Sequence, residues 1–422
     1  MDQQHAEPPN PWAPVGAPPP TPPKPRTILI VGISIGLAAL LVATAGVFGV
    51  KYLTSRHPQP AQAQQAEEIT LTQAPGDGRP LKFGDTALYD ACSVITIDQL
   101  AGLGVSLDPK NSITHEHLDG DVPPGAAVAQ SSADSASYCA YVLSNGNRLS
   151  VSVHQTPFNT AEDLAFLQTG GPRRPGTPRS EDGVSLIQWN NAETNTQRID
   201  VWKPDLLINI YIDTYHPGPY GTMDVQTFAI ALEPLVKSAV SKGPTAPMRH
   251  VYSGLLGKVK NPCEAMSRTA FRKSFPAHSG EAAMTEATFY PAAPSRGPEW
   301  EGQISCERHN IVPNGNLNEA EYRELHVSLS VRENEQIATE HNTLLCGLVS
   351  RPDIVDVVTV TPSVGTGRTC MLRLGSDWTL QFQVGHVGVS IRGPLAEKPT
   401  QEERRELLVP AAQAIAEAGL IR

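Results

Sequence analysis

Catalytic signatures are missing from this sequence. Its 422 residues contain no Gly-x-Ser-x-Gly elbow, no His-Glu-x-x-His helix and no dinucleotide fingerprint. The glycine-bearing stretch "SVGTGRT" (363–369) lacks the lysine and the spacing of a phosphate loop, so it reads as a hairpin turn. Basic runs are missing too, and the formal net charge is −10, which removes electrostatic attraction to nucleic acid or to an anionic membrane surface. Cysteine is scarce: six residues, none in a Cys-x-x-Cys pair and too scattered for a zinc knuckle. With 40% hydrophobic residues the chain still has enough apolar material for cores, and its length suits two or three domains.

Charge is also absent from Thr27 to Val50, "TILIVGISIGLAALLVATAGVFGV". As a helix this run is ~36 Å long against a hydrocarbon core of ~30 Å, so residues 27–53 are expected to form a transmembrane helix. Gly32, Gly36, Ala39 and Ala43 recur at a spacing that permits close helix approach in lipid, or are simply the small residues common in a membrane span. The rival is a signal peptide, since "AQA" (61–63) has a cleavable form, but the apolar run is too long and ends too early for one. Lys24 and Arg26 balance Lys51 and Arg56, so flanking charge leaves the orientation undecided.

Ten of the first 26 residues are proline, a composition that favours extended, solvated chain; residues 1–26 read as a disordered cytoplasmic tail, or as a ligand for a proline-recognising partner. Residues 54–81, rich in Pro, Gln and Ala, read as an extracellular linker.

The remainder repeats itself. Cys92 stands four residues before Thr96, which opens a capping box with Gln99; Cys263 stands four residues before Ser267, which opens "SRTAFRKSF". Cys139 answers to Cys306. The alternating strand "LSVSVHQ" (149–155) answers to "LHVSLSV" (325–331). Short helices follow (160–168, 337–348), then two strands in each half, with "KPDLLINIYID" (203–213) set opposite "GSDWTLQFQV" (375–384). Each half closes on an amphipathic helix, 224–242 and 400–421, containing Pro234 or Pro410, where a break or kink is expected. The offsets between Cys92/Cys263, Cys139/Cys306, Asp205/Asp377 and Pro234/Pro410 are 171, 167, 172 and 176. So narrow a spread implies two copies of one domain, 82–242 and 257–422, joined by a linker at 243–256.

The repeat also sorts the cysteines. Cys92 is expected to bond Cys139 and Cys263 to bond Cys306, leaving Cys346 with Cys370 as a staple in the second copy alone. Such bonds persist outside the reducing cytosol, which sets the folded part on the extracytoplasmic side and the N-terminus in the cytoplasm.

One cluster has metal-ligating chemistry. His115, His117, Asp119 and Asp121 alternate in "THEHLDGD", and as a strand they would share a face and offer two imidazoles and two carboxylates. Turn formers on both sides point instead to a solvated loop, and the second copy has no such cluster. Trp189, Trp202, Trp300 and Trp378 are read as core packing, with ligand lining as the alternative. No catalytic residue, cofactor or metal is assigned.

"NPC" (261–263) before a capped short helix, a second cysteine some 45 residues later, paired strands and a terminal amphipathic helix resemble the actinobacterial envelope lipoprotein and sensor-type domains of unknown function with an Asp-Pro-Cys motif. This chain reads Asp-Ala-Cys in the first copy and Asn-Pro-Cys in the second, with a membrane helix instead of a lipidated cysteine. The resemblance implies a PsbP-like α+β fold, an antiparallel sheet packed with helices, and a binding or accessory role without catalytic residues. The expectation is therefore a single-pass membrane protein with a tandem extracytoplasmic domain for a protein partner or envelope ligand. An extracellular hydrolase and a structural spacer are the alternatives.

Overall fold

Runs of period two become strands and capped amphipathic runs become helices. The computed structural model describes residues 71–422 except 109–110, 123–134, 170–176, 192–194, 278–281, 289–301, 310–322, 348–353, 376 and 394–399. The expected tail, the membrane helix at 27–53 and "AQA" at 61–63 lie outside the described residues. Among the described residues no helix is long and apolar enough to cross a membrane.

In chain order the first half holds β1 (Leu71–Ala74), β2 (Lys82–Phe83), β3 (Thr86–Ala87), α1 (Ala91–Val94), α2 (Ile97–Gly102), β4 (Asn111–Leu118), β5 (Ser137–Val142), β6 (Arg148–Gln155), α3 (Ala161–Thr169), β7 (Arg179–Glu181), β8 (Val184–Asn191), β9 (Thr196–Lys203), β10 (Leu206–Asp213) and α4 (Val225–Lys242). The second holds β11 (Arg249–Tyr252), α5 (Gly254–Gly257), α6 (Pro262–Ala265), α7 (Arg268–Ser274), β12 (Ala282–Thr288), β13 (Gly302–His309), β14 (Glu324–Val331), α8 (Glu335–Leu345), β15 (Ile354–Thr359), β16 (Cys370–Leu374), β17 (Asp377–Val384), β18 (Val387–Arg392) and α9 (Gln401–Glu417). The fold is α+β, and its strands pair antiparallel.

The caps that start the helices are those written in the sequence. Thr96 with Gln99 and Thr400 with Glu403 form reciprocal capping boxes, and Ser267 accepts from the Ala270 amide. Neither internal proline breaks its helix: α4 runs through Pro234 and α9 through Pro410. Each proline withholds one N–H from the carbonyl four residues back. Those carbonyls belong to Ile230 and Glu406, both exposed residues on the solvent side.

Fourteen strands form one sheet in the order β15-β16-β17-β18-β14-β13-β12-β4-β5-β6-β10-β9-β8-β7. The two halves meet where β4 pairs with β12, and from that seam outward each half repeats the same succession of strands. One row of facing residues shows the symmetry. His115 faces Thr285 across the seam; Cys139 lies next to His115 and Cys306 next to Thr285; then come Val151 and Val327, Ile210 and Ile391, Ile199 and Leu380, Gln188 and Met371. A pseudo-twofold therefore passes through the His115/Thr285 pair.

The row corrects the sequence alignment. Ile210 and Ile391 are 181 residues apart, so β10 answers to β18 and β9 to β17. Residues 203–213 and 375–384, matched above, lie on strands that are not counterparts. Asp205 and Asp377 align by number only because each falls near the polar turn that opens a strand. Each half also has four outer strands instead of two, β7 to β10 and β15 to β18.

Both halves share one apolar core, running from Tyr89 to Leu420, in which Val151, Ile199, Ile210, Val327, Leu380 and Ile391 are fully buried. Residues Glu67–Arg422 form one compact unit. The segments expected to be linkers pair with each other: β1 runs antiparallel to β11, Leu71 facing Tyr252 and Ala74 facing Arg249. Just beyond, Gly76 passes the linker so closely that a Cβ there would lie 2.1 Å from the Pro247 carbonyl oxygen. No side chain fits at that crossing.

Candidate functional site

The residues from "THEHLDGD" do not form a loop. Residues 111–118 are strand β4, whose polar residues are tolerated because both edges are paired, with β5 and with β12. His115 and His117 share a face, as period two requires, with ring centroids 4.5 Å apart. The strand ends at Leu118, and the two aspartates leave that face. Asp119 accepts from Arg308 of β13 and, at 3.2 Å, from Arg268 of α7. Asp121 pairs with Arg79 and accepts from the Lys82 amide at 3.2 Å. The four residues weighed above as a metal set, against a solvated loop, are therefore not brought together.

What gathers around the two imidazoles is different. Asp90 stands at the N-terminus of α1 but caps nothing. Its Oδ1 accepts from His115 Nε2 at 2.6 Å, and its Oδ2 accepts from the Met248 amide at 3.1 Å. Both members of the Asp90–His115 pair are almost fully buried, each 2% exposed. His250, from β11, presents its ring edge-on to His115 at 5.3 Å. Gln73 of β1 lies 3.2 Å from His250 Nε2, donates to the Tyr141 hydroxyl at 3.2 Å and accepts from the Ile97 amide at 2.7 Å. Thus the strand leading out of the tether, the strand joining the halves, the first cysteine helix and the central strand β4 are tied by one polar network.

The electrostatics follow from burial. Burial acts to raise the Asp90 carboxyl, but the charge and hydrogen bond of His115, with help from His117 and the Met248 amide, outweigh it and hold the carboxyl below its ordinary value. Burial, reinforced by the neighbouring His115 ring, lowers His117 to about 4 and His250 to about 3. His117 Nδ1 lies 2.8 Å from the Leu118 carbonyl oxygen; since a carbonyl only accepts, Nδ1 carries the proton.

Cys92 Sγ lies with nitrogens of His115 and His250 inside a 4.8 Å group, the spacing of a metal set. That sulfur is bonded to Cys139, so it is no thiolate ligand. Among the described residues no other such group of three forms. Nor is a serine, threonine or thiol hydrogen-bonded to any of the three rings among the described residues. A cavity of about 10 Å³ beside Asp90 and His117 has room for about one water molecule. The arrangement is suited to clamping chain segments through buried imidazoles and one carboxylate.

The six cysteines pair as Cys92–Cys139, Cys263–Cys306 and Cys346–Cys370, the pairs expected from aligning the halves. Behind each of the first two, one side chain serves the same carbonyls. Tyr141 donates to Ile95 O at 2.5 Å and lies 3.4 Å from Cys92 O; Arg308 donates to Met266 O at 2.7 Å and lies 3.4 Å from Cys263 O. Both sit two residues past the strand cysteine. Burial lowers Arg308 to about 10 and raises the Tyr141 hydroxyl.

Sequence reasoning overlooked Asp90, His250, Gln73, Tyr141 and Arg308. Asp90 had a signal: it holds the place of Asn261 before the cysteine, and Asn261 caps its own helix by accepting from the Cys263 amide at 2.8 Å. Gln73 and His250 fell in stretches read as linkers. Of the tryptophans, Trp378 is in the core, Trp202 is half-buried, and Trp189 donates to Asp200 at 3.0 Å beneath the Arg198 guanidinium. Trp300 lies outside the described residues. No protein-family model and no curated protein matches the chain.

Proposed function

We propose that the protein is a single-pass membrane protein whose extracytoplasmic part is a tandem binding module for a protein partner or an envelope ligand. The observation that carries this reading is the complete pairing of all six cysteines, two of the bonds at equivalent places in the two halves. Such bonds persist outside the reducing cytosol. The uncharged run at 27–50 supplies the anchor and leaves the proline-rich tail inside. The halves are two copies of one ancestral domain, akin to the actinobacterial envelope domains that the cysteine motif resembles. Exposed apolar side chains stand on the two corresponding short helices, Phe166 on α3 and Leu344 on α8, which offers a partner two related points of contact.

The test uses the full chain in its host cell. Protease added to intact cells is expected to remove the part beyond residue 70, and the cysteines to resist alkylation until reductant is added. A photocrosslinking residue at position 166 or 344 should then capture a partner. Free thiols in intact cells, or protection from external protease, would overturn the topology; absence of any adduct from both positions would overturn the contact surface.

A further inference from the structure

The two disulfides that the halves share stand in different company. Beside Cys263–Cys306 the symmetric row places Thr285, next to Cys306. Beside Cys92–Cys139 it places His115, next to Cys139, and the linker strand β11 adds His250. Nitrogens of both rings lie with Cys92 Sγ inside 4.8 Å, and Cys139 Sγ is bonded to that sulfur. Both cysteines are fully buried and His115 is 2% exposed. Two sulfurs and two imidazoles are thus gathered in one place, and the bond between the sulfurs is what keeps them from acting as thiolates.

Opening that bond takes two electrons and two protons, and a dithiol supplies both. Its own disulfide forms, Cys92–Cys139 breaks, and each sulfur is left as a thiol. A divalent ion then displaces the two thiol protons and is held by thiolates and imidazoles, the donor set of zinc. Asp90 Oδ1, 2.6 Å from His115 Nε2, retains the proton on that nitrogen and leaves Nδ1 able to ligate, the carboxylate support usual behind a zinc-bound histidine. Tetrahedral zinc, with bonds of about 2.0 to 2.3 Å, sets its ligand atoms about 3.3 to 3.8 Å apart, so a group already inside 4.8 Å closes by about an ångström. The ion gives up the 3.2 Å contact between Gln73 and His250 Nε2.

We propose that reduction of Cys92–Cys139 converts this place into a site for a zinc-class divalent ion, with Cys92, Cys139, His115 and His250 as ligands and Asp90 positioning His115. Disulfide and metal are then alternative ways of tying α1 to β5, and the metal form also ties both to β4 and β11. The inference goes beyond the binding module proposed above and does not rest on it, because it is tested on purified protein in either redox state.

The experiment is a cobalt(II) titration of the purified full-length chain in detergent, read by the thiolate-to-cobalt charge-transfer band, with zinc(II) as competitor. Two routes free the Cys92 thiol: reduction of the wild type by a phosphine, and Cys139→Ser, which keeps the other two disulfides. One zinc-displaceable cobalt at this site is expected by either route, and no band before reduction. His250→Gln should weaken that binding about tenfold or more by either route. Cys306→Ser, which frees Cys263 in the half that has Thr285 in place of His115, should give no band. Should Cys139→Ser fail to fold, cobalt is expected to restore its fold, because ligation is then coupled to folding. No band by either route, the same band before reduction, a band indifferent to His250→Gln, an equal band from Cys306→Ser, or a Cys139→Ser chain that stays unfolded at saturating cobalt would each overturn the assignment.

Discussion

The first and second halves share a backbone frame and differ in what hangs on it. Strand order, row register and the placing of two disulfides coincide, yet His115 stands opposite Thr285, Tyr141 answers to Arg308, and Leu207 answers to Gly388. The difference teaches which demands are common to the fold. The carbonyls between the two short helices after each cysteine need a donor, and a tyrosine hydroxyl and a guanidinium both supply one. Arg308 does more, since it also reaches back across the seam to Asp119 of the other half. The polar groups that a fold must satisfy are conserved between the copies as geometry rather than as residue type.

The largest effects that would break this comparison concern the staples. Replacing Cys92–Cys139 or Cys263–Cys306 by alanines opens loops of 47 and 43 residues and should cost about 4 kcal/mol each in the chain-entropy model. Equal losses of denaturation midpoint are expected, and a large inequality would end the equivalence of the halves. Removing Cys346–Cys370, a loop of 24, should cost about 3.5 kcal/mol and loosen α8, read as faster amide exchange confined to that helix. Next, Arg308→Ala leaves Asp119 and two carbonyls without their buried donor and should cost about 3 kcal/mol by chemical denaturation.

The histidine clamp joins β4 of the first half to His250 of β11 and has no counterpart on β12, while the second half carries a lowered ring of its own, His326 of β14, so acid should weaken both halves. His117 and His250 are held below their ordinary 6.5, at about 4 and about 3. The unfolded chain therefore binds these protons first. Stability is complete above about pH 6.5 and falls as the pH drops toward those folded values, by about 1.4 kcal/mol per pH unit for each ring. The lowered Asp90 acts in the same direction at lower pH. His250→Gln is expected to remove about a third of the slope between pH 6 and 4, the rest belonging to His117 and to His326, which burial and Arg392 hold at about 4; a slope unchanged by that substitution would remove His250 from the clamp. Smallest of all, Tyr141→Phe leaves the Ile95 carbonyl unserved at about 1 to 2 kcal/mol, less than the loss at its partner position because no charge is stranded.

Much of this frame is legible in the chain itself, for local reasons. Thr96 with Gln99 and Thr400 with Glu403 act within one turn of helix, the alternation of 149–155 and 325–331 acts within one strand, and the cysteines repeat at a fixed distance. What escaped is set by partners far away in sequence. β4 is flanked by turn formers and carries His and Glu, and only pairing on both edges makes it a strand. Asp90 needs His115 and Met248 to give it a role, and the linker strands β1 and β11 need each other. The counterpart of β10 was misplaced because loops of unequal length move the offset from 167 at Cys139/Cys306 to 181 at Ile210/Ile391. The contrast between Leu207 and Gly388 was hidden for the same reason, since the two positions are counterparts only once β10 is set against β18.

The pairing of β4 with β12 has one further consequence. A lone half would carry a bare strand edge with unpaired amides and carbonyls, the template on which chains stick to one another. Fusing two copies gives that edge a partner at a high and constant local concentration, independent of how much protein the cell makes. An isolated half should therefore be adhesive and self-associating, whereas the double chain has turned that hazard into its own spine.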